Sequence, residues 1–302
     1  MTSFIDIGAN LTDDMFQGVY NGRRVHEADL DLVLSRAASV NVNHMIVTAG
    51  LLEDSVTALS LCKQYSSLST TIGIHPTRSR QVLSGNMDDY LSQMQSFFLE
   101  NRSYISCIGE LGLDYDRLKF SNKEEQHIVL NAQLQLFSQQ DFLNVPLFLH
   151  SRNCTEDFLD VMFNYRSFFS NRNFVVHSFT DGVKDVKSFL SRGAFIGFNG
   201  CSMKTEQDIE TVQETPVDKI LLETDAPWCT IKPSHASFKF LNLKRDVVKR
   251  EKFVRGKLVK DRCEPGQIVE VCEVVANVKG LLFQDVASTV YSNTTLFMNT
   301  QS

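Results

Sequence analysis

Tyr104-Ile105-Ser106-Cys107-Ile108-Gly109-Glu110-Leu111-Gly112-Leu113-Asp114 starts as an apolar run and ends in acid. Four of its first five residues are apolar or aromatic, the composition of a buried strand. Two glycines then break the run, which predicts that the strand stops and the backbone turns at Gly109. A carboxylate at the end of a buried strand is costly unless a positive group meets it. The same arrangement recurs downstream. Pro146-Leu147-Phe148-Leu149 ends in His150, and Asn173-Phe174-Val175-Val176 ends in His177. Lys219-Ile220-Leu221-Leu222 runs into Glu223-Thr224-Asp225. Four apolar runs each deliver a potential metal ligand near a C-terminal end, which is the layout of an active site on a parallel β/α barrel.

Further strand-like runs begin near Phe4, Met45, Ser69 and Ala194, which makes eight in all. Most of the segments between them have helical periodicity. Leu30, Val33, Leu34 and Ala37 share one face, as do Tyr90, Leu91, Met94, Phe97 and Phe98. Strands alternating with helices indicate a parallel sheet, and eight such units suit a (β/α)8 TIM barrel. An open doubly wound sheet would want a glycine-rich turn after the first strand. Asp6-Ile7-Gly8-Ala9-Asn10 is not G-x-G-x-x-G. No linker, repeat or low-complexity tract interrupts the pattern, so residues 1–302 read as a single domain.

Hydrophobic residues make up 43% and charged residues 22% of the 302, an ordinary globular balance that excludes a disordered or fibrous chain. No run approaches the roughly 18 apolar residues of a membrane span. The N-terminus has no basic region followed by an apolar one, so a cytoplasmic or nuclear protein is expected, away from membranes. Seven cysteines with no C-x-x-C spacing read as reduced thiols, neither a disulfide framework nor a zinc site. The net charge is −6. Residues 231–262, after the eighth strand, hold eleven Lys or Arg against three acids, an excess of eight positive charges in a basic insertion. Such a patch attracts phosphate backbones; its plainer reading is a solvated loop.

Glu110, His150, His177 and Asp225 would converge on one barrel rim. Imidazole with carboxylate suits Mn2+, Zn2+ or Fe2+, and Mg2+ where carboxylates and waters dominate. A cation there would lower the pKa of bound water and polarise an ester or phosphoryl oxygen. Asp225 is the candidate to take the water's proton. Alone, each residue has a plainer role as a satisfied strand-end histidine or a capping acid. Their coincidence at equivalent strand ends carries the reading. His75 closes the third strand, and Arg152 could hold a phosphate in a fork of donors. Asn199 serves a turn or the site. Trp228 stacks on a base or plugs the barrel top. His26, His44 and His127, in or beside helical stretches, read as solvated.

Six ordered motifs resemble those of the TatD family of metal-dependent deoxyribonucleases. They are Phe4-Ile5-Asp6-Ile7-Gly8-Ala9-Asn10-Leu11-Thr12-Asp13, Gly73-Ile74-His75-Pro76-Thr77, Gly109-Glu110-Leu111-Gly112-Leu113-Asp114, Leu149-His150-Ser151-Arg152, Val176-His177-Ser178-Phe179 and Glu223-Thr224-Asp225-Ala226-Pro227-Trp228. Gly197-Phe198-Asn199-Gly200-Cys201-Ser202 is similar to the family's eukaryotic branch. The resemblance implies a barrel of the amidohydrolase-like superfamily and a nuclease that hydrolyses DNA, often 3′→5′ from single strands. It implies metal ligands at Glu110, His150, His177 and Asp225, with His75 and Arg152 near the scissile phosphate. Mg2+ or Mn2+ is the expected ion, with Zn2+ as the alternative. The partner implied is DNA, as single strands or 3′ ends, and no protein partner is expected. Many members of the wider superfamily carry His-x-His on the first strand; here those positions are Gly8 and Asn10. A second ion would have to rest on Asp6, Glu110 and Asp225, so one or two ions stay open. The alternative is a hydrolase of a small amide, lactone or phosphoester on the same barrel. A non-enzymatic scaffold would be marked by lost ligands, and all four are present.

Overall fold

A computed structural model of the chain describes residues 2–242 and 245–298. Eight strands form one sheet in sequential order: β1 Phe4–Ala9, β2 Val42–Val47, β3 Leu68–Ile72, β4 Ile105–Asp114, β5 Leu147–Arg152, β6 Phe174–Val176, β7 Phe195–Phe198 and β8 Ile220–Leu222. The first and last are joined by a parallel bridge between Ala9 and Ala226. Helices alternate with the strands, so the fold is the expected (β/α)8 barrel. By contact density the chain divides into two compact units, Met1–Val47 with Gly197–Thr294 and Thr48–Ile196 with Thr295–Ser302.

The strands are buried along nearly every residue, as parallel strands covered on both faces must be. The helices follow the expected faces. Leu30, Val33, Leu34 and Ala37 are the buried residues of Leu30–Ser39. Lys123–Phe137 starts at a capping box between Asn122 and Glu125, which satisfies two orphan donors at its N-terminus. It ends at Phe137, and Gln140–Phe142 forms a separate turn.

The strand predicted to stop at Gly109 does not stop there. β4 runs ten residues, through both glycines, to Asp114. The physical reason is the close passage of β5. A Cβ at Gly109 would sit 2.2 Å from the Phe148 carbonyl oxygen, and one at Gly112 would sit 1.8 Å from that of His150. Both glycines also have φ above +150°, where L residues are rare. They let two backbones touch and do not mark a turn. Between Ile108 and Leu111 the pairing slips, because β4 advances three residues while β5 advances two. The extra residue makes a bulge at Gly109-Glu110, and bulges re-aim side chains beside functional sites.

The expectation of seven reduced thiols is also corrected. Cys201 and Cys229 are paired as a disulfide, with Cα atoms 4.8 Å apart. The other five cysteines are free and buried. No helix among the described residues is long and apolar enough to cross a membrane.

Candidate metal centre

The unit holding β3 to β6 brings four of the six expected residues together. Glu110 Oε2 lies 2.9 Å from His177 Nε2 and 3.7 Å from His150 Nδ1. The two ring nitrogens are 3.1 Å apart. His75 Nε2 stands 3.7 Å from the same Glu110 oxygen. Ligand atoms of Glu110, His150 and His177 all fall within 4.8 Å of one another.

Local structure explains the convergence. The bulge presents Glu110, whose own N–H donates to the Ala49 carbonyl at 3.1 Å. His150 stands in β5 opposite Gly112, where the missing side chain leaves room. His177 directly follows β6, and its N–H extends the pairing to the Leu149 carbonyl at 2.9 Å.

Asp114 was read in the sequence only as the end of a motif. It is fully buried, and its Oδ2 lies 3.0 Å from His150 Nε2. Burial pushes the Asp114 carboxyl up, but His150, Arg152 and Arg117 outweigh it and hold the group below its usual range. An ionised carboxylate accepts only, so His150 carries its proton on Nε2 and turns a bare Nδ1 lone pair toward Glu110 and His177. Spacing offered the missed signal: Glu110, Gly112 and Asp114 alternate along one strand, so the two acids flank a residue without a side chain.

Burial also opposes ionisation of Glu110, yet His177, His150 and His75 hold its carboxyl well below the usual range. His75 is pushed down to about 3, first by burial and then by the neighbouring His150. Its Nδ1 accepts the Thr77 N–H at 3.1 Å, so Nε2 carries the proton and faces Glu110. The result is one anion among three imidazoles, with His150 Nδ1 turned inward, in a largely buried recess. That donor set fits a divalent cation.

Arg152, the last residue of β5, pairs in register with Asp114 and is half-buried. Its guanidinium makes no hydrogen bond or ion pair among the described residues.

Asp225 belongs to the other unit. Its backbone has φ +50°, a conformation Asp tolerates better than most residues. Asn10 Nδ2 donates to its Oδ1 at 2.9 Å, and Cys229 Sγ lies 3.2 Å from its Oδ2. Asp6, named above for a second ion, is fully buried and accepts from the Thr224 hydroxyl and from the Thr224 and Gly8 N–H groups. Burial pushes its carboxyl up to about 8. Asn199 serves the turn: its Oδ1 caps the N–H groups of Cys201 and Ser202, and its Nδ2 donates to Glu223. Trp228 is 49% exposed, so it plugs nothing. His26 is buried and stacked on Phe253, against the expectation of a solvated ring.

The basic stretch is less free than its composition implies. Lys239 pairs with Glu206, Arg245 with Glu270, Arg250 with Glu251, Arg255 with Glu27 and Asp31, Lys257 with Asp246, and Arg262 with Asp29 and Glu264. Lys232, Lys249, Lys252 and Lys260 are exposed and make no ion pair among the described residues. Lys244 lies outside them.

A family profile described as TatD related DNase matches residues 5–299. The chain belongs to the TatD-related DNase family. Among relatives, a protein of Schizosaccharomyces pombe named Deoxyribonuclease Tat-D is 36% identical over 96% of this chain and 94% of its own length. One from Shigella flexneri, named 3'-5' ssDNA/RNA exonuclease TatD, is 32% identical over 76% of this chain and 83% of its own length. The crystal structure of a TatD family hydrolase from Entamoeba histolytica superposes with a TM-score of 0.91, at 34% identity and covering 98% of each chain. The TatD resemblance read from the motifs is thus borne out over nearly the whole chain.

Proposed function

We propose that the chain is a divalent-metal-dependent deoxyribonuclease that removes nucleotides 3′→5′ from single-stranded DNA. The observation that carries the reading is the buried convergence of Glu110, His150 and His177 within 4.8 Å. Glu110 Oε2, His150 Nδ1 and His177 Nε2 would hold the ion, Mg2+ or Mn2+ with Zn2+ as the alternative. When bound, such an ion makes water acidic and polarises a phosphoryl oxygen. Asp114 keeps His150 in the ligating tautomer. His75, neutral and protonated on Nε2, donates to a phosphate oxygen. The free Arg152 guanidinium offers a bidentate fork to the phosphate charge. On the motif resemblance alone, Asp225 stays the candidate to take the attacking water's proton and to serve as a fourth ligand; within its own unit its Oδ1 is held by Asn10. Polarity and strand preference follow the name of the Shigella flexneri relative, which also makes RNA a substrate to try.

The test is end-labelled single-stranded DNA with the purified protein in Mg2+, Mn2+ or EDTA. Shortening from the 3′ end that EDTA abolishes is expected. Degradation that ignores EDTA, or an intact strand in every metal, overturns the reading.

Lys232, Lys249, Lys252 and Lys260 are proposed to steer the strand. Changing all four to Glu is expected to weaken single-stranded DNA binding and flatten its salt dependence, with each phosphate-contacting lysine accounting for about 0.7 of the logarithmic slope. An unchanged slope removes the stretch from binding.

A further inference from the structure

Cys201 and Cys229 sit in one compact unit, in the turns that follow β7 and β8. We infer that they form a reversible thiol–disulfide couple that controls Asp225. Three observations carry this, together with the role proposed above for Asp225.

First, their proximity does not depend on the bond between them. A Cβ at Gly200 would sit 1.9 Å from the Cys229 carbonyl oxygen, so the two turns meet backbone to backbone. Asn199 fixes the Cys201 N–H at 2.8 Å. The reduced thiols therefore stay within reach of each other. Second, both cysteines are half-buried at the surface, where an exchange partner can approach, whereas the other five are buried and inert. Exposed disulfides are the labile class. Third, Cys229 Sγ is 3.2 Å from Asp225 Oδ2. In the reduced state its S–H is a donor to that oxygen, while Asn10 holds the other. Both oxygens of the carboxylate are then anchored. Oxidation removes the sulfur's hydrogen and with it that anchor.

The step is thiol–disulfide exchange with a small disulfide such as oxidised glutathione. One thiolate attacks a glutathione sulfur and expels one glutathione thiol. The second cysteine then displaces the other. Two electrons and two protons pass from the cysteines to two glutathione molecules, and a dithiol reductant reverses the change.

The full-length protein is equilibrated in dithiothreitol or in oxidised glutathione. Thiols are counted after denaturation, intact mass is measured, and emission is recorded from Trp228, the only tryptophan and the neighbour of Cys229. Seven thiols in the reduced state and five in the oxidised state are expected, with no glutathione mass retained and the Cys201 and Cys229 peptides joined. Trp228 emission falls on oxidation and recovers in dithiothreitol. Turnover of single-stranded DNA falls several-fold in the oxidised state with KM unchanged, and C201S/C229S shows one rate in both buffers. Seven thiols in both states, or two lost from another pair, overturns the couple. A crosslinked protein with the reduced rate overturns control of Asp225. A protein that cuts no DNA in either state sinks the nuclease reading, while thiols and fluorescence still decide the couple.

Discussion

Glu110→Gln is expected to cut metal-dependent DNA hydrolysis by at least about 100-fold, the loss seen when one preorganised electrostatic partner leaves a buried site. Glutamine keeps the size and one acceptor but loses the charge. Glu110 is the carboxylate that both His150 Nδ1 and His177 Nε2 face. Without it the ion loses the anionic ligand that stands between the two imidazoles, and its retention against water weakens. Asp114→Asn acts one step removed. The amide can donate to His150 Nε2, which moves the imidazole proton to Nδ1 and covers the lone pair a metal needs. A loss of about 10 to 100-fold is expected, the range for the group that orients a ligand. Titration with Mn2+ separates the two. Added ion should recover much of the Asp114→Asn rate and little of the Glu110→Gln rate. A Glu110→Gln protein that turns over like wild type would remove Glu110 from the centre.

Arg262→Ala is the largest stability loss expected, about 3 to 5 kcal/mol, the cost of removing one partner from a buried ionic group. Arg262 is 2% exposed. Its guanidinium donates to both Asp29 oxygens at 2.7 and 2.6 Å, to Glu264 Oε1 at 2.9 Å and to the Met15 carbonyl at 3.1 Å. Arg36 adds bonds to Glu264 at 2.8 and 3.0 Å. Alanine would leave two buried acids to share the half-buried Arg36. Urea unfolding checks this through the midpoint. The contrast is Arg255→Ala. Arg255 pairs with Glu27 and Asp31 across an exposed surface, so its loss is expected to cost at most about 1 kcal/mol. Equal effects for the two arginines would contradict the assignment.

Much of this was legible in the residues. The eight apolar runs became the eight strands, because buried parallel strands write themselves as continuous apolar stretches. His150 and His177 stood out because each breaks such a run. What was illegible depends on partners distant in the chain. Gly109 and Gly112 read as punctuation because the backbone they accommodate, at Phe148 and His150, lies some forty residues on. Asp114 could not be given a role without His150 beside it. The charge excess at 231–262 looked free because Glu27, Asp31, Glu206 and Glu270, which neutralise part of it, come from other segments. Cys201 and Cys229 are 28 residues apart, a spacing with no signature of its own.

Glu110 and Asp114 lie within a hydrogen-bonded strand, and His150 lies in its neighbour. Ladder residues open to solvent only when the sheet itself parts. Hydrogen exchange at these positions should therefore be among the slowest in the unit, and nicking the surface connections should leave the ligand cluster in register. Substrate preference in such a molecule is modular. The segments that greet a substrate can be shortened, lengthened or exchanged while the ion-holding geometry stays anchored in the strands.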